Sequence, residues 1–268
     1  MAYGIEINTM TGQRIVDGRF KLPEFVGKIY LHPTPYVNNY VNTNSYQNQA
    51  GVFSTTTYDF VDDANNAAVN AALAGRQAMV FWKYPDTGGY NLYWTSYGYG
   101  AMNLYRAPGV SYTPPLPVAY VFAVGSSTTS SNAFGMRLWN EVGTLIFDSG
   151  NKQLMTYNVA TGLNFSFESQ SSVSVSMPTN AAFLQPTCYF IMDQRTPSSD
   201  EYPNSGSFHY MVAQGGIRRN GSTIVSYMPV VEKYDYENVS EPNDWGDNAF
   251  FGSTTGLVMP IINTDVYD

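Results

Sequence analysis

The sequence predicts a mainly β protein: two antiparallel β-sandwich-like domains with one short helix, related by an internal repeat. Three observations carry that expectation. "AYGIEINTMTGQRIVDG" at residues 2–18 returns without a gap as "AFGMRLWNEVGTLIFDS" at residues 133–149, an offset of 133 − 2 = 131. Aromatic residues make up 15% of the 268 residues, with 22 Tyr and 15 Phe, against 13% charged residues. Rings and β-branched side chains suit a pleated, half-buried surface, and 44% hydrophobic content is too high for a disordered chain. Several short stretches alternate apolar and polar residues, which is the period of a strand with one buried face.

The repeat is read first, because a missed repeat misassigns the whole fold. Ala2/Ala133, Gly4/Gly135, Gly12/Gly143, Ile15/Ile146 and Asp17/Asp148 are identical, and Tyr3/Phe134, Ile5/Met136, Ile7/Leu138 and Val16/Phe147 keep their character. In the second copy Met136 and Leu138 alternate with Arg137 and Trp139, and Leu145-Ile146-Phe147 returns after Asn140-Glu141-Val142-Gly143. Asn at the first position and Gly at the fourth suit a type I turn followed by a residue with positive φ. Both copies therefore read as β-hairpins, with Ile5, Ile7, Met136 and Leu138 facing cores. Gly12 and Gly143 are assigned to backbone geometry, not to ligand contact.

After the first hairpin, "KIYLHP" (28–33) reads as a strand and the Pro/Asn/Tyr/Thr-rich stretch at 34–51 as an ordered loop or a loop with an edge strand, which together with 90–99 is the expected surface for subunit contact. "VDDANNAAVNAALAGRQ" (61–77) reads as the one helix, capped by Asp62 or Asp63, favoured by its alanines and ended by Gly75. Residues 78–99 read as a hairpin turning at 85–89, and "LPVAYVFAVG" (116–125) as a buried strand. The polar "SSTTSSN" at 126–132 is taken as a linker between a domain at 1–125 and another at 133–268. In the second half "LNFSFES" (163–169), "SVSVSM" (172–177), "STIVSYMPVV" (222–231) and "TGLVMPIIN" (255–263) read as strands. Two apolar strands flank the polar loop within 187–215, a looser echo of 78–99 with Phe81/Phe190 and Tyr93/Tyr210 in correspondence. The acidic stretch 232–248 reads as a loop.

The formal net charge is −8 with no run of Lys or Arg, which argues against a nucleic-acid partner. The longest apolar run, 116–125, is too short to cross a bilayer as a helix, and no secretory leader is expected before the first strand. The single cysteine, Cys188, lies in an apolar run and reads as a buried structural thiol. Two histidines, His32 and His209, cannot furnish a zinc, iron or copper site at the usual spacing. No nucleophile elbow, phosphate loop or H-E-x-x-H is present, so no catalytic residue, cofactor or metal is assigned.

Glu241, Asp244 and Asp247 with Asn243 and Asn248 form the densest oxygen cluster, but their spacing is not that of an EF-hand loop, and a solvated loop is the expectation for 241–248. A glycosidase pair could be distant in the chain, and nothing favours one. Asn164, Asn220 and Asn238 begin glycosylation triplets, read as coincidence without a secretory leader. "YNLYWTSYGYG" (90–100) is the most unusual composition. Its alternate rings fit the two sides of a sheet, and Tyr90, Tyr93, Trp94, Tyr97 and Tyr99 are the candidates for contact with a protein partner or glycan.

The two hairpin segments resemble the N-terminus of small virion structural proteins of tailed bacteriophages. Those chains begin Met-x-x-Gly-(apolar)-x-(apolar), turn through a glycine and return into an Asp-Ser or Asp-Gly ending. The Phe147-Asp148-Ser149 finish makes residues 133–149 the nearer match. The resemblance covers about 35 residues, those of the two hairpins, and its motif is a hairpin signature. It implies a non-enzymatic tail or tail-fibre component with β-sandwich character, assembled in the host cytoplasm with other virion proteins and copies of itself. A carbohydrate- or host-receptor-binding module of the virion is the alternative, and a polysaccharide-cleaving enzyme a third. The doubled hairpin leaves open which copy anchors and which faces outward.

Overall fold

The computed structural model describes residues 6–8, 14–17, 22–30, 55–58, 64–73, 76–85, 90–94, 101–105, 117–124, 135–139, 143, 145–166, 169–184, 188–197, 205–228, 230–240, 248–252 and 255–268. The chain is mainly β, with one α-helix among these residues. The first half runs β1 (Glu6–Asn8), β2 (Arg14–Asp17), β3 (Glu24–Tyr30), β4 (Thr55–Tyr58), α1 (Ala64–Leu73), β5 (Gln77–Lys83), β6 (Tyr90–Trp94), β7 (Ala101–Tyr105) and β8 (Val118–Val124). The second runs β9 (Arg137–Trp139), β10 (Leu145–Asp148), β11 (Thr156–Leu163), β12 (Gln170–Ser174), β13 (Ala181–Phe183), β14 (Cys188–Pro197) and β15 (Ser205–Gln214). It ends with β16 (Gly216–Asn220), β17 (Thr223–Tyr227), β18 (Val230–Ser240), β19 (Asn248–Gly252), β20 (Leu257–Asn263) and a 3-10 turn at Thr264–Val266.

Both hairpins form, and their registers coincide. Glu6↔Asp17, Ile7↔Val16 and Asn8↔Arg14 in the first hairpin correspond to Arg137↔Asp148, Leu138↔Phe147 and Trp139↔Leu145 in the second. Each pair moves by 131, and the same irregularity falls after the middle pair. Gly143 has φ of +78°, as the turn assignment requires. Of the side chains expected to face a core, Leu138 is half-buried and Met136 is exposed, while the burial of Ile5 and Ile7 lies outside the described residues. Met136 precedes the paired strand, and a two-stranded ribbon has little surface to cover it.

Two six-stranded sheets dominate, in the orders β11-β20-β13-β5-β8-β3 and β12-β17-β16-β6-β7-β4, and every pairing is antiparallel. The expected division at 126–132 is not how the sheets divide. Each takes three strands from before that stretch and three from after it. Phe183↔Trp82 joins the halves in the first sheet, and Gly216↔Leu92 with Ile217↔Asn91 joins them in the second. In chain order β3, β4, β5, β6, β7 and β8 hold the places that β11, β12, β13, β16, β17 and β20 hold from the other end. A four-stranded sheet, β18-β15-β14-β19, is made of second-half strands alone.

Around β5, β8 and β13 the first sheet is buried on both faces, which is why β5 and β8 read as continuous apolar runs instead of alternating ones. Trp82, Val121, Phe183 and Ile261 join Ile217 and Ile224 of the second sheet and Val69 and Leu73 of α1 in the main core. Phe81, Phe122, Ala182 and Ile262 form a second cluster on the opposite face, closed by Tyr267. At about 1.5–3 kcal/mol per fully buried large apolar side chain, these two layers are the principal source of stability.

Several expectations are corrected. Strands occur at both ends of 78–99, but β5 and β6 belong to different sheets, so this is no hairpin; β6 pairs with β7 instead, Trp94 opposite Ala101. Strands β14 and β15 do pair with each other, so the echo of 78–99 through Phe81/Phe190 and Tyr93/Tyr210 fails. Much of the stretch 232–248 is strand, since β18 runs to Ser240. Of "LNFSFES", Leu163 ends β11, Asn164 and Phe165 lie outside strands, and Ser166↔Ser169 is an isolated bridge. The Asn220-Gly221 turn between β16 and β17 went unread as a hairpin, although Asn-Gly is the strongest short-range signal for one. The helix is present within the expected stretch, described over Ala64–Leu73, and Gln77 already opens β5; the loop at 34–51 lies outside the described residues.

Candidate functional site

Three of the five candidate contact residues fall on the second sheet. Tyr90, Tyr93 and Trp94 lie on β6, which is flanked on both sides, by β7 and by β16, so its backbone is committed within the sheet. Tyr90 pairs with Tyr105 and Tyr93 with Met102, while Tyr97 and Tyr99 lie outside the described residues. On each edge of the first sheet a side chain engages one backbone group. Along β3, Asn65 of α1 donates from Nδ2 to the Lys28 carbonyl at 2.7 Å. Along β11, Asn158 Oδ1 accepts from the Val159 amide at 2.8 Å and Asn158 Nδ2 donates to the Ser176 carbonyl at 2.9 Å.

Polar side chains converge where the chain end meets the first sheet. Tyr120 donates to Asp268 Oδ1 at 2.7 Å, Lys28 Nζ is 2.7 Å from the same oxygen, and Lys83 Nζ is 3.9 Å from Oδ2. Burial pulls the Asp268 carboxyl upward, but hydrogen bonds from Lys28 and Tyr120 and the two lysine charges outweigh it and hold it below its ordinary range. Tyr120 is pushed well above the usual phenol range, first by burial and then by its hydrogen bond to Asp268. Tyr267, raised by burial, accepts from the Met155 amide at 2.8 Å and donates to the Gln153 carbonyl at 3.0 Å. Phenols held protonated in this way tie the 264–268 segment to the sheet; neither is poised to carry a proton near neutral pH.

A second polar junction joins the halves. Buried Glu24 accepts from Arg76 Nη2 at 2.7 Å and from Asn151 Nδ2 at 3.0 Å, and Arg76 also reaches the Ala123 carbonyl at 3.3 Å. Beside it, Phe25 donates its amide to the Lys152 carbonyl and Leu154 to the Pro23 carbonyl, both at 2.7 Å. Among the described residues no group of three or more His, Cys, Asp or Glu could hold a metal ion. His32 and residues 241–247 lie outside the described residues; His209 sits on β15 opposite Gln194 and Asp235, and Cys188 opens β14.

Exposed apolar surface gathers at the β11 end of the first sheet, which sequence periodicity did not single out. Met155 is 54% exposed, Tyr157 52%, Val159 39% and Val258 61%. The pairs Val159↔Pro260 and Thr161↔Val258 place Val159 and Val258 on one face. No protein-family model, curated protein or solved structure matches the chain.

Proposed function

We propose that this chain is a non-enzymatic structural protein of a tailed-bacteriophage virion, a tail or tail-fibre assembly component built by internal repeat. The observation that supports it most is the pair of hairpins with one register, 131 residues apart, since the resemblance to virion proteins rests on that hairpin. Its Gly…Asp-Ser signature has a physical reason here. A Cβ at Gly135 would come within 2.5 Å of Ser149 Oγ, and that oxygen accepts from the Met136 amide at 2.8 Å. The Ser149 amide returns a bond to the Met136 carbonyl at 2.9 Å, so the signature locks the ends of the hairpin together.

The matching strand order from either end of both sheets supports the repeat beyond the hairpins. In this reading each half contributes three strands to each sheet, and the second half adds the four-stranded sheet. Immunogold labelling of purified virions from the phage that carries this gene tests it, with gold expected on the tail. Particles that lack the protein altogether would end the proposal. The alternative is a carbohydrate- or host-receptor-binding role at Tyr90, Tyr93, Trp94, Tyr97 and Tyr99, which binding to a glycan array would distinguish.

A further inference from the structure

The tip of the β16–β17 hairpin holds the one Asn-Gly pair in the sequence, Asn220-Gly221. Asn220 pairs with Thr223, so Gly221 and Ser222 form a two-residue loop, and Asn220, Gly221 and Ser222 are all exposed. Gly221 has φ of +57°, and a Cβ placed on it would meet nothing within 4 Å. The tip is braced against the segment before β13. Arg219 donates from Nε to the Gly221 carbonyl at 3.1 Å and from Nη1 and Nη2 to the Thr179 and Pro178 carbonyls at 2.7 and 3.2 Å. The Val175 amide donates to the Ser222 carbonyl at 3.0 Å. Other asparagine side chains are engaged: Asn65, Asn151, Asn158 and Asn180 donate from Nδ2, and Asn164 and Asn263 accept through Oδ1. Asn70 lies within α1, where helical hydrogen bonding fixes the backbone. The Asn220 carboxamide has no hydrogen-bond partner among the described residues.

We infer that Asn220 is a site of spontaneous, one-way self-modification, gated by fraying of this hairpin tip. The Gly221 amide nitrogen gives its proton to hydroxide and attacks Asn220 Cγ. A carbon–nitrogen bond forms there, the side-chain carbon–nitrogen bond breaks, and the released nitrogen takes up a proton and leaves as ammonia. Water then adds to either carbonyl of the cyclic imide, opening it to aspartate or to isoaspartate. The balance is asparagine plus water giving acid plus ammonia. Glycine at 221 favours closure because no Cβ crowds the attacking nitrogen. Ring closure turns Asn220 out of the extended conformation in which it pairs with Thr223, so that pair must open first. Either product adds a negative charge at the tip. Isoaspartate also lengthens the backbone by a methylene, which the register at Thr223 cannot absorb. The inference goes beyond the structural reading of the chain and does not depend on it.

The test is peptide mapping by mass spectrometry of the intact folded chain, aged at pH 8.5 and 37 °C and digested in acid. Isoaspartate is counted separately in the peptide carrying residue 220, by labelling with an isoaspartate methyltransferase. Asn220 should convert about tenfold faster than any other asparagine named above, and several-fold slower than in the chain unfolded by guanidinium chloride. Asn220→Gln should abolish the label in that peptide, because closing the larger glutamine ring is far slower. If this variant does not fold, the two rates in the parent decide. Conversion of Asn220 no faster than the other asparagines, or a label that persists in Asn220→Gln, would overturn the inference. Equal rates in the folded and unfolded chain would overturn the gating by the hairpin. None of these results bears on whether the chain is present in the virion.

Discussion

Phe183 of β13 lies opposite Trp82 of β5, and both are fully buried. Phe183 also stacks on Tyr84, with ring centroids 5.9 Å apart and planes at 10°. This pairing fastens the second half of the chain to the first at the centre of a six-stranded sheet, so the halves are expected to unfold together. A protease site placed within 126–132 and cleaved in the folded protein should leave one species in gel filtration, with a single melting transition. Two separable folded fragments would contradict the shared sheets. Trp82→Ala or Phe183→Ala should cost about 3–5 kcal/mol in denaturant unfolding, and the double change less than the sum, because the residues share one contact.

Gly135 and Ser149 offer a finer test. A side chain at 135 meets Ser149 Oγ at 2.5 Å, and φ at 135 is +155°. Gly135→Ala should therefore destabilise by about 1–3 kcal/mol, the usual range for overpacking. The first hairpin carries glycine at both matching positions, Gly4 and Gly18. Ser149→Gly added to Gly135→Ala should recover the steric part of the loss but not the hydrogen bond to Met136. Strictly additive losses in this cycle would show that the crowding is not what demands glycine.

The hairpins were legible because their information is local: turn chemistry and alternation within 17 residues fix the register. Strand β8 and α1 were legible for the same reason, being a continuous apolar run and an alanine-rich stretch. What pairs with what was not legible. The segment 78–99 contains two good strands around a good turn, yet β5 finds β8 and β13 while β6 finds β7 and β16. Those partners are set by burial on both faces of the first sheet, which no window of one strand contains. The stretch 232–248 misled for the opposite reason, since its Glu, Lys and Asp residues read as loop although Val230–Ser240 is a strand paired along β15. The candidate contact residues stand out in the sequence by composition alone, and composition does not separate a central strand from an exposed one.

Charge distinguishes the two hairpins. Arg137 Nε lies 2.9 Å from Asp148 Oδ2, and Asp148, almost fully buried, also accepts from the Gly150 amide at 2.8 Å. At the matching pair of the first hairpin the register sets Glu6 opposite Asp17, two acids. Like charges directly across a strand pair are unfavourable, and opposite charges contribute roughly 0.2–1 kcal/mol. Glu6→Arg should therefore raise stability by about that amount, and Arg137→Glu should lower it by more, since it removes the ion pair of a buried carboxylate and sets a second acid beside it. Urea unfolding of both variants checks the signs; a stabilising Arg137→Glu would refute the argument.

The junction at Asp268 predicts both limbs of the pH profile. A carboxyl held below its usual range in the fold contributes stability above its unfolded pKa, about 3.9, and loses it as pH falls through the folded value. A phenol pushed upward contributes below about 10 and loses that contribution at higher pH, where the unfolded chain ionises first. Asp268→Asn should thus be less stable than the parent at pH 7, with the gap closing in acid. Its size should be small, because the side chain is partly exposed and screened. Tyr120→Phe should flatten the alkaline limb. Melting temperatures from pH 2 to pH 11 decide both, and an acid gap that widens would reverse the assignment of Asp268.

Assembly is best tested at the exposed apolar end of the first sheet. The contact surface expected from sequence was 34–51 together with 90–99; the former lies outside the described residues, and the described part of the latter is a strand paired on both sides. Tyr157 and Val258 are each more than half exposed, so changing them removes little that holds the fold together. Tyr157→Lys with Val258→Lys should leave unfolding free energy within about 0.5 kcal/mol of the parent, the ordinary range for surface changes. If the chain works as an assembled structural component, contiguous exposed apolar side chains are where subunit contact is expected. Two charges placed there should then lower the incorporation of the protein into particles several-fold, measured against a co-packaged virion protein by quantitative mass spectrometry. Normal incorporation of the folded double variant would show that this end of the sheet faces solvent in the particle.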